Sequence, residues 1–452
     1  MTGGSRLPTD ARPDDGCQNG GWRRGACPSL ATPMQTGDGL LARLTPRDGD
    51  LSMAQLAALA EAAARHGNGL IEITMRGAVQ IRGLTTASAE ALAMDAAASG
   101  VMARQGLAVD VNALAGVDPL ERCDPRPLAA RIAGAVNGSA LAPLLGPKVS
   151  VTVDSGGQFG LSALKADIRL LAVDASRWAM MLSLATGTRR AFRGDETAIA
   201  SAALDMLAAI AALGPDARMR DVAAEIADGV CAGLVPVDPV PAQPAIIPVG
   251  IFPTVHGPAI GLTPPFGATD SVALRQLAAA FPQAPVRFAP ERGLLLMGLD
   301  AAAQTRLRQI ADDLGFIRRA DDLRLRISVC AGAPLCASAA VATRPLAADL
   351  ARDHRATLDA AVAPGQQLHV SGCGKRCGAP SRNVTPLDMP VGAAVVTGVF
   401  ASHPHAERDR ALTLETASAH LSQLSRVLHI LGARHTRGDA PDPTPDALKN
   451  RP

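Results

Sequence analysis

Four of the eight cysteines carry the clearest chemistry in this chain. Cys330 and Cys336 are separated by five residues in CAGAPLC; thirty-six residues intervene; Cys373 and Cys377 follow, separated by three in CGKRC. Thiolates suit soft metals, and four of them hold a 4Fe–4S cube with one ligand per iron. The residues around them are small: Ala331, Gly332, Ala333, Gly372, Gly374 and Gly378. Small side chains let the backbone approach an inorganic core and direct N–H groups at its sulfides. Structural zinc is the competing metal reading, but zinc pairs are commonly about two to four residues apart, which the five-residue gap fits less well. Four ordinary buried thiols are the plain alternative. Cys17, Cys27, Cys123 and Cys231 show no such spacing and read as free or buried thiols.

The cations form a second set. GLIEITMRGAVQIRG places Arg76 in a turn between two strands and Arg82 one strand later, and Arg292 occupies the turn of a second, similar unit. Lys148 precedes a strand, while Arg344, Lys375 and Arg376 lie near the cysteine loops in sequence. Cations at strand ends facing a cleft pair bidentately with carboxylates; a solvated turn arginine is the plain alternative for Arg76. His256, His369, His403 and His405 form no recognisable metal motif. Neither a G-x-G-x-x-G fingerprint after a first strand nor a G-x-x-x-x-G-K-[ST] loop is present, so a built-in dinucleotide domain is unsupported. The DSGGQFG loop at 154–160 reads either as a plain hairpin turn or as backbone passing close to a ligand.

These residues are positioned by elements that repeat. Residues 37–46 hold a short strand, 53–66 a helix with the Ser52/Gln55 spacing of a capping box, 69–74 and 78–83 a strand pair, and 87–99 a helix stopped by Gly100. The same order returns as a strand at 256–264, a helix at 271–281, strands at 285–290 and 293–298, and a helix from 300 to near 315, offset by 215–218 residues. Both first strands end in Leu-Thr-Pro and both strand turns contain Arg-Gly, which points to a pseudo-twofold duplication. A larger α/β region follows each copy. KVSVTVDSG and DIRLLAV are expected as antiparallel strands in the first; LRLRISV and QQLHVS run into the cysteines in the second. The expected organisation is an N-terminal arm (1–33), a first half-domain (34–100), an α/β domain without cluster cysteines (101–234), a Pro-rich linker (235–250), a second half-domain (251–316), a cluster-bearing α/β domain (317–435) and a polar tail (436–452).

Composition removes several function classes. With 452 residues, 48% hydrophobic and 19% charged, the chain is not mostly disordered. A net charge of +2 argues against nucleic-acid binding by bulk charge, and 2% aromatics without Tyr leave few stacking platforms. No apolar run approaches the roughly 18 residues of a membrane span. The best, 391–400, is too short and carries two glycines. No secretory signal pattern is seen, and the cysteines are too dilute for a disulfide scaffold. A cytoplasmic, non-membrane, monomeric protein is the expectation.

The C-x5-C … C-x3-C pattern behind a duplicated half resembles the sulfite and nitrite reductase superfamily, across about residues 22–430, and ITMRGAVQIRG resembles its Thr-x-Arg, Gln-x-x-Gly region. Within it, RRGACPSLATPMQTGDGLLARL, VDSGGQFGLSALKADIRL, CAGAPLCASA and HVSGCGKRCGAP are most similar to the precorrin-3B synthase family. The resemblance implies an α/β (α+β) fold: a pseudo-twofold, reductase-like duplication with ferredoxin-like half-domains and larger mixed-sheet domains. It implies a 4Fe–4S cluster on Cys330, Cys336, Cys373 and Cys377, and a tetrapyrrole at the interface of the halves. In the reductases that tetrapyrrole is siroheme, bridged to the cluster by a cysteine whose position falls on Cys377. In the synthases it is the substrate, precorrin-3A. The implied reaction is hydroxylation at carbon 20 with γ-lactone closure, using dioxygen, a mononuclear non-haem iron of unassigned ligands, and NADH directly or through an NADH-dependent reductase. Arg76, Arg82 and Lys148, then Arg292 and Arg344, are the expected counter-charges for substrate carboxylates; no catalytic residue is assigned. Arg76 and Lys148 match one arginine and one lysine of the superfamily's anion pocket. The second lysine position falls on Ser150, and GLAVDVNALAGVDP stands where an Arg-Asn-Val segment belongs. A pocket short of charge complements sulfite or nitrite poorly, which favours the synthase over a siroheme-dependent reductase. A cluster-bearing redox sensor or scaffold is the non-catalytic alternative.

Overall fold

The structure, a computed structural model, describes residues 28–184, 187–241, 246–362, 366–373, 377, 385–387, 396–401 and 423–431. The first half contains β1 (Met34–Thr36), β2 (Gly39–Leu44), β3 (Asp50–Ser52), α1 (Met53–His66), β4 (Leu70–Ile73), β5 (Val79–Leu84) and α2 (Thr86–Ala98). The Ser52/Gln55 capping box starts α1, with Gln55 N–H donating to Ser52 Oγ at 3.1 Å and Ser52 N–H to Gln55 Oε1 at 2.9 Å. Gly100, at φ +72°, takes the left-handed turn after α2. Pro28 is buried and Leu30 packs on this half's core, so residues 28–33 are part of the body and not a loose lead-in. Residues 1–27, with Cys17 and Cys27, and the tail at 436–452 lie outside the described residues.

The next region holds β6 (Ala108–Val111), α3 (Arg126–Asn137), β7 (Ser150–Asp154), β8 (Ile168–Ala172), β9 (Arg177–Ser183), β10 (Arg189–Asp195), α4 (Glu196–Ala212), α5 (Ala224–Val230) and β11 (Val235–Val237). They form one sheet, β11-β10-β9-β8-β7-β6. The expectation of antiparallel strands at 148–156 and 167–173 is corrected here: β7 and β8 are parallel, as are β6 and β7. Every residue of β7 is buried, as both-faced burial of a parallel strand requires, and the chain between β7 and β8 is a long crossover, not a hairpin. The Pro-rich stretch at 235–250 is also not all linker, because β11 pairs with β10 at the sheet edge, where Pro236 has no ladder bond to forfeit on its outer side.

The second half repeats the first with β12 (Gly250–Phe252), β13 (Ala259–Leu262), β14 (Ala268–Asp270), α6 (Ser271–Ala280), β15 (Pro285–Ala289), β16 (Gly293–Leu296) and α7 (Ala301–Asp313). The halves exchange strands. β14 completes the first sheet, β1-β2-β5-β4-β14, and β3 completes the second, β12-β13-β16-β15-β3. Helices α1 and α6 follow these exchanged strands and pack together, so one apolar core joins Leu51, Leu56 and Ile71 to Leu274, Leu277 and Val286.

The final region contains β17 (Ile327–Val329), α8 (Thr343–Asp353), α9 (Arg355–Ala361), β18 (Gln366–Ser371), β19 (Thr385–Leu387) and β20 (Val396–Ala401), in sheet order β17-β18-β20-β19. A helical segment at 423–431 adds Leu424, Leu428 and Leu431 to its core. The strand expected at 323–329 is shorter, because Leu323–Arg326 form a 3-10 turn capped by Asp322, whose carboxylate accepts from Arg324 N–H at 2.9 Å. No helix among the described residues is long and apolar enough to cross a membrane.

The shared core makes a definite expectation. Leu56→Ala should cost about 2–5 kcal/mol. Amide exchange, measured by mass spectrometry, should quicken in both α1 and α6. Loss of protection confined to residues 34–98 would show that the halves are separate folding units.

Candidate functional site

The two cysteine pairs meet because their strands are neighbours. β17 and β18 are parallel and hydrogen-bonded, so the loops leaving their C-terminal ends lie side by side. Cys330 N–H donates to Val370 O at 3.2 Å, and Gly372 N–H donates to Cys330 Sγ at 3.2 Å. The first loop is tied down by Thr343 Oγ1 to Cys330 O at 2.9 Å and by Cys336 N–H to Gly332 O at 2.8 Å. Ala340 N–H reaches Gly372 O at 3.0 Å, linking the two loops, and Ser371 Oγ donates to Cys373 O at 2.8 Å. Glycine is required at Gly332, where φ is +70° and a Cβ would lie 2.7 Å from Thr343 N. Gly374, Lys375, Arg376 and Gly378 lie outside the described residues.

The four thiols form one electrostatic group. Cys377 is exposed, yet the protein around it and then Cys373, Cys330 and Cys336 push its thiol up, with Arg82 opposing. Among the described residues no group of three or more His, Cys, Asp or Glu converges as a single metal ion needs. A lone zinc requires its thiolates at about 2.3 Å from one point, whereas an iron–sulfur cube gives each thiolate its own iron. Four thiols on two adjacent loops, with the Gly372 N–H turned toward Cys330 Sγ, supply the donor types that the cube takes. No ligand set for a separate mononuclear iron is present among the described residues.

The first cysteine loop is docked on the first half. A Cβ at Gly37 would lie 2.6 Å from Cys336 Sγ, and Ala337 N–H donates to Gly37 O at 2.9 Å. Next to Gly37, Asp38 takes Arg82 in a bidentate pair at 2.8 Å on each arm. Burial works against the Arg82 cation, but Asp38, Glu72 and the Cys336 sulfur more than offset it, and its pKa is raised. Burial also opposes the Asp38 carboxylate, which Arg82 and Thr36 nevertheless hold below the usual range. Glu72 bonds Arg344 at 2.8 Å and lies 3.5 Å from Arg82, and its carboxylate also accepts from Gln80. Arg344 leads from the first cysteine loop into α8 and is lowered by burial and by Arg82, against Glu72 and Cys330.

The two Arg-Gly turns also meet across the pseudo-twofold axis. Glu291 N–H donates to Met75 O at 3.1 Å, and a Cβ at Gly77 would lie 2.9 Å from the Ala289 carbonyl carbon. Glu291 and Arg292 are held at φ 62° and 68°, a left-handed conformation costly for residues with side chains. Arg292 is half-buried against Gly267; its nearest charges are Glu291, Arg344 and Glu72, yet it makes no ion pair or hydrogen bond among the described residues. Burial lowers it. Arg76 is different. It pairs with Asp110, which Arg104 also holds at 2.8 Å, and donates to Lys165 O at 2.7 Å. Lys148 is exposed, just ahead of β7, and has no ion pair among the described residues.

Arg82, Arg292 and Arg344 are therefore brought to the cysteine seam, while Arg76 sits on the cluster-free sheet and Lys148 outside both groups. The carboxylates Asp38 and Glu72 were not singled out in the sequence. Their signal is polarity inside short apolar strands: Glu72 in LIEI, and Gln80 and Arg82 in VQIRGL. His369 is buried beside Ser328, whose Oγ is 2.9 Å from its Nδ1, within the sheet itself. Cys123 and Cys231 lie in or against the cluster-free core, where burial pushes both up to about 11, as inert thiols.

Residues 32–99 match the family model of the nitrite/sulfite reductase ferredoxin-like half domain. Over 415 residues the chain is 38% identical to a Sinorhizobium sp. protein named precorrin-3B synthase, covering 89% of each chain. The chain belongs to the precorrin-3B synthase family. It is therefore an enzyme of a family whose members imply a metal cofactor. The solved structure of the Mycobacterium tuberculosis NirA protein superposes with a TM-score of 0.58 at 17% identity, covering 80% of this chain and 73% of that one. This confirms the reductase-like α/β architecture and the duplicated ferredoxin-like design at the level of fold.

Arg82→Ala should leave Asp38 buried and unpaired at the dock, costing about 3–5 kcal/mol at neutral pH. In the parent chain Asp38 has a depressed pKa, so its contribution is present above the unfolded value near 3.9 and is lost as pH falls through the depressed one. In the variant, burial without the cation raises that pKa, so the deficit should shrink as pH falls from 7 toward about 4. Urea unfolding at the two pH values measures this; an unchanged deficit would remove Asp38 as its source.

Proposed function

We propose that this chain is a precorrin-3B synthase: it binds precorrin-3A at the seam between its halves and carries out oxygen-dependent hydroxylation at carbon 20 with γ-lactone closure, in aerobic cobalamin biosynthesis. The observation that carries this reading is the match to the Sinorhizobium synthase along 89% of both chains. The balance requires dioxygen and two reducing equivalents. One oxygen atom enters the substrate and the other leaves as water. NADH, directly or through a reductase, is the formal donor.

Cys330, Cys336, Cys373 and Cys377 would hold a 4Fe–4S cluster, which supplies one-electron transfer when bound. Arg82 and Arg344 lie close to Cys336 and Cys330 and offset the negative charge of the thiolates. Their carboxylate partners Asp38 and Glu72 hold the guanidiniums in place. Arg292, half-buried and without an anionic partner, is the cation with most to gain from a substrate carboxylate. Arg76 is already neutralised by Asp110 and its side chain is 38% exposed, which reverses the weight that the sequence gives the two turn arginines. In this reading the macrocycle's acidic arms bind and orient it against these cations. The superfamily's reductive alternative is disfavoured by Ser150, where a second lysine belongs, and by the segment GLAVDVNALAGVDP, which stands where an Arg-Asn-Val segment belongs.

Anaerobic titration with precorrin-3A tests the assignment. Arg292→Ala should weaken binding by about 2–5 kcal/mol and Arg76→Ala by roughly 0–1 kcal/mol, with iron and sulfide content unchanged in both. Equal losses would restore Arg76 as a direct contact. Cys330→Ala should lower iron and sulfide and abolish turnover once oxygen is admitted; a full cluster in that variant would overturn the four-thiolate assignment. Tightly held siroheme in the purified protein, with reduction of sulfite or nitrite, would overturn the synthase reading.

A further inference from the structure

The cluster-free sheet has one face covered by α3 and α4 and another that faces away from that core. On the second face Asp110, Thr152, Arg169 and Met181 stand in one row across β6, β7, β8 and β9. Over the β7 and β8 end of this row lies a cavity of about 270 Å³, walled by Leu171, Val173 and Met181, with Arg169 and Arg122 as its cations. That is below the roughly 300–1,000 Å³ that encloses a drug-sized ligand, so it suits a chemical group and not a macrocycle.

Its two guanidiniums have no carboxylate partner among the described residues. Arg169 donates only to carbonyls, Ser162 O and Leu164 O, both at 2.7 Å, and Arg122 donates to Ala172 O at 2.6 Å. Neither has a carboxylate partner among the described residues, although Arg82, Arg104, Arg218 and Arg324 all do. A guanidinium has five N–H donors, so several remain unused. Burial disfavours the Arg169 cation, and Arg189 and Arg76 add repulsion. Asp154 lines the cavity but is committed elsewhere: its carboxylate accepts from Asn112 at 2.9 Å, Gly156 N–H at 2.8 Å and Leu161 N–H at 2.6 Å. Those bonds fix the glycine loop beside the cavity. Gly156 is needed at φ +77°, where a Cβ would lie 2.7 Å from Arg122 Nη1.

We propose that this cavity is a carboxylate-binding site in which Arg169, assisted by Arg122 at the rim, takes a carboxylate borne on a short aliphatic arm that lies along Leu171, Val173 and Met181. The carboxylate has two sources: a side arm of the tetrapyrrole, which rests on the synthase reading, or a free aliphatic acid, which does not.

The test uses the full-length, cluster-loaded protein. Precorrin-3A affinity is measured by anaerobic titration and propionate binding by saturation-transfer NMR, for the parent and for Arg169→Gln, Arg169→Lys and Arg122→Gln. Arg177→Gln, an exposed residue paired with Asp174, is the control. A charge-assisted contact predicts about tenfold weaker binding for Arg169→Gln, a smaller loss for Arg169→Lys and none for the control. Loss for precorrin-3A supports a substrate arm; loss for propionate alone supports a free acid. If the parent does not bind precorrin-3A, the synthase reading fails and the propionate arm still decides the site. If Arg169→Gln loses iron or thermal stability, Arg122→Gln decides in its place. Unchanged affinity for both probes overturns the proposal.

Discussion

The exchange of β3 and β14 between the half-domain sheets is the constraint on which the seam depends. Each exchanged strand leads directly into a helix, and those helices pack together, so neither half can complete its sheet or its core alone. Ladder hydrogen bonds fix strand register, so exchange sets the relative position of the halves to within a residue step. The seam then inherits that precision. Gly37, Arg82 and Glu72 come from the first half; the cysteine loops, Arg292 and Arg344 come from the second. Their contacts need both sheets in register at once.

Duplication also provides an internal comparison for the cysteine loops. Asn112 and Asp118 follow β6 with the same spacing that Cys330 and Cys336 have after β17. Asn112 Oδ1 accepts from Ser155 N–H at 2.7 Å and from Ser155 Oγ at 2.9 Å, and Asp118 accepts from both nitrogens of Gln158. Thus the two loops leaving parallel strands are tied together in each half, by Asn112, Ser155, Asp118 and Gln158 side chains in one and by the Gly372 N–H to Cys330 Sγ and Ala340 N–H to Gly372 O bonds in the other. Glu121 extends the hydrogen-bonded version, reaching Ser155 Oγ and Gly116 N–H at 2.8 Å each. The architecture ties these loops together at both places, and in only one of them do cysteines stand at the tie.

The repeat was legible because its signals are local. The capping box at Ser52, the turn at Gly100 and alternating apolar residues mark elements whose bounds match the structure closely. β3 and β14 were not legible. Each is three residues long, and its partner is about 200 residues away or more, so pairing depends on tertiary register that no short window contains. The parallel pairing of β7 and β8 was missed for a related reason: alternation marks a strand but carries no direction. At the site, spacing was enough to group the cysteines, since a fixed loop length constrains where a thiol can reach. It was not enough to sort the arginines. Arg76 and Arg292 occupy equivalent turns, and what separates them is an aspartate on another strand, Asp110, which only the fold brings to Arg76.

That sorting has a physical consequence for how the cations are divided between structure and ligand. A guanidinium removed from water is tolerable when a carboxylate completes its hydrogen bonds. Arg82 with Asp38, Arg218 with Asp167 and Arg104 with Asp110 satisfy that condition, and their charges hold elements in place. Arg292 does not satisfy it. Burial lowers its pKa, and two consecutive residues with side chains occupy left-handed backbone to present it. Each of those terms opposes folding; Glu291 and Glu72 offset the burial only in part, with no hydrogen bond or ion pair to Arg292 among the described residues. A carboxylate arriving from outside the chain would supply the missing partner, so the same terms that burden the free protein favour its complex. On the synthase reading proposed above, the seam would complement an acidic ligand, with its structural arginines already neutralised and Arg292 left to respond to binding.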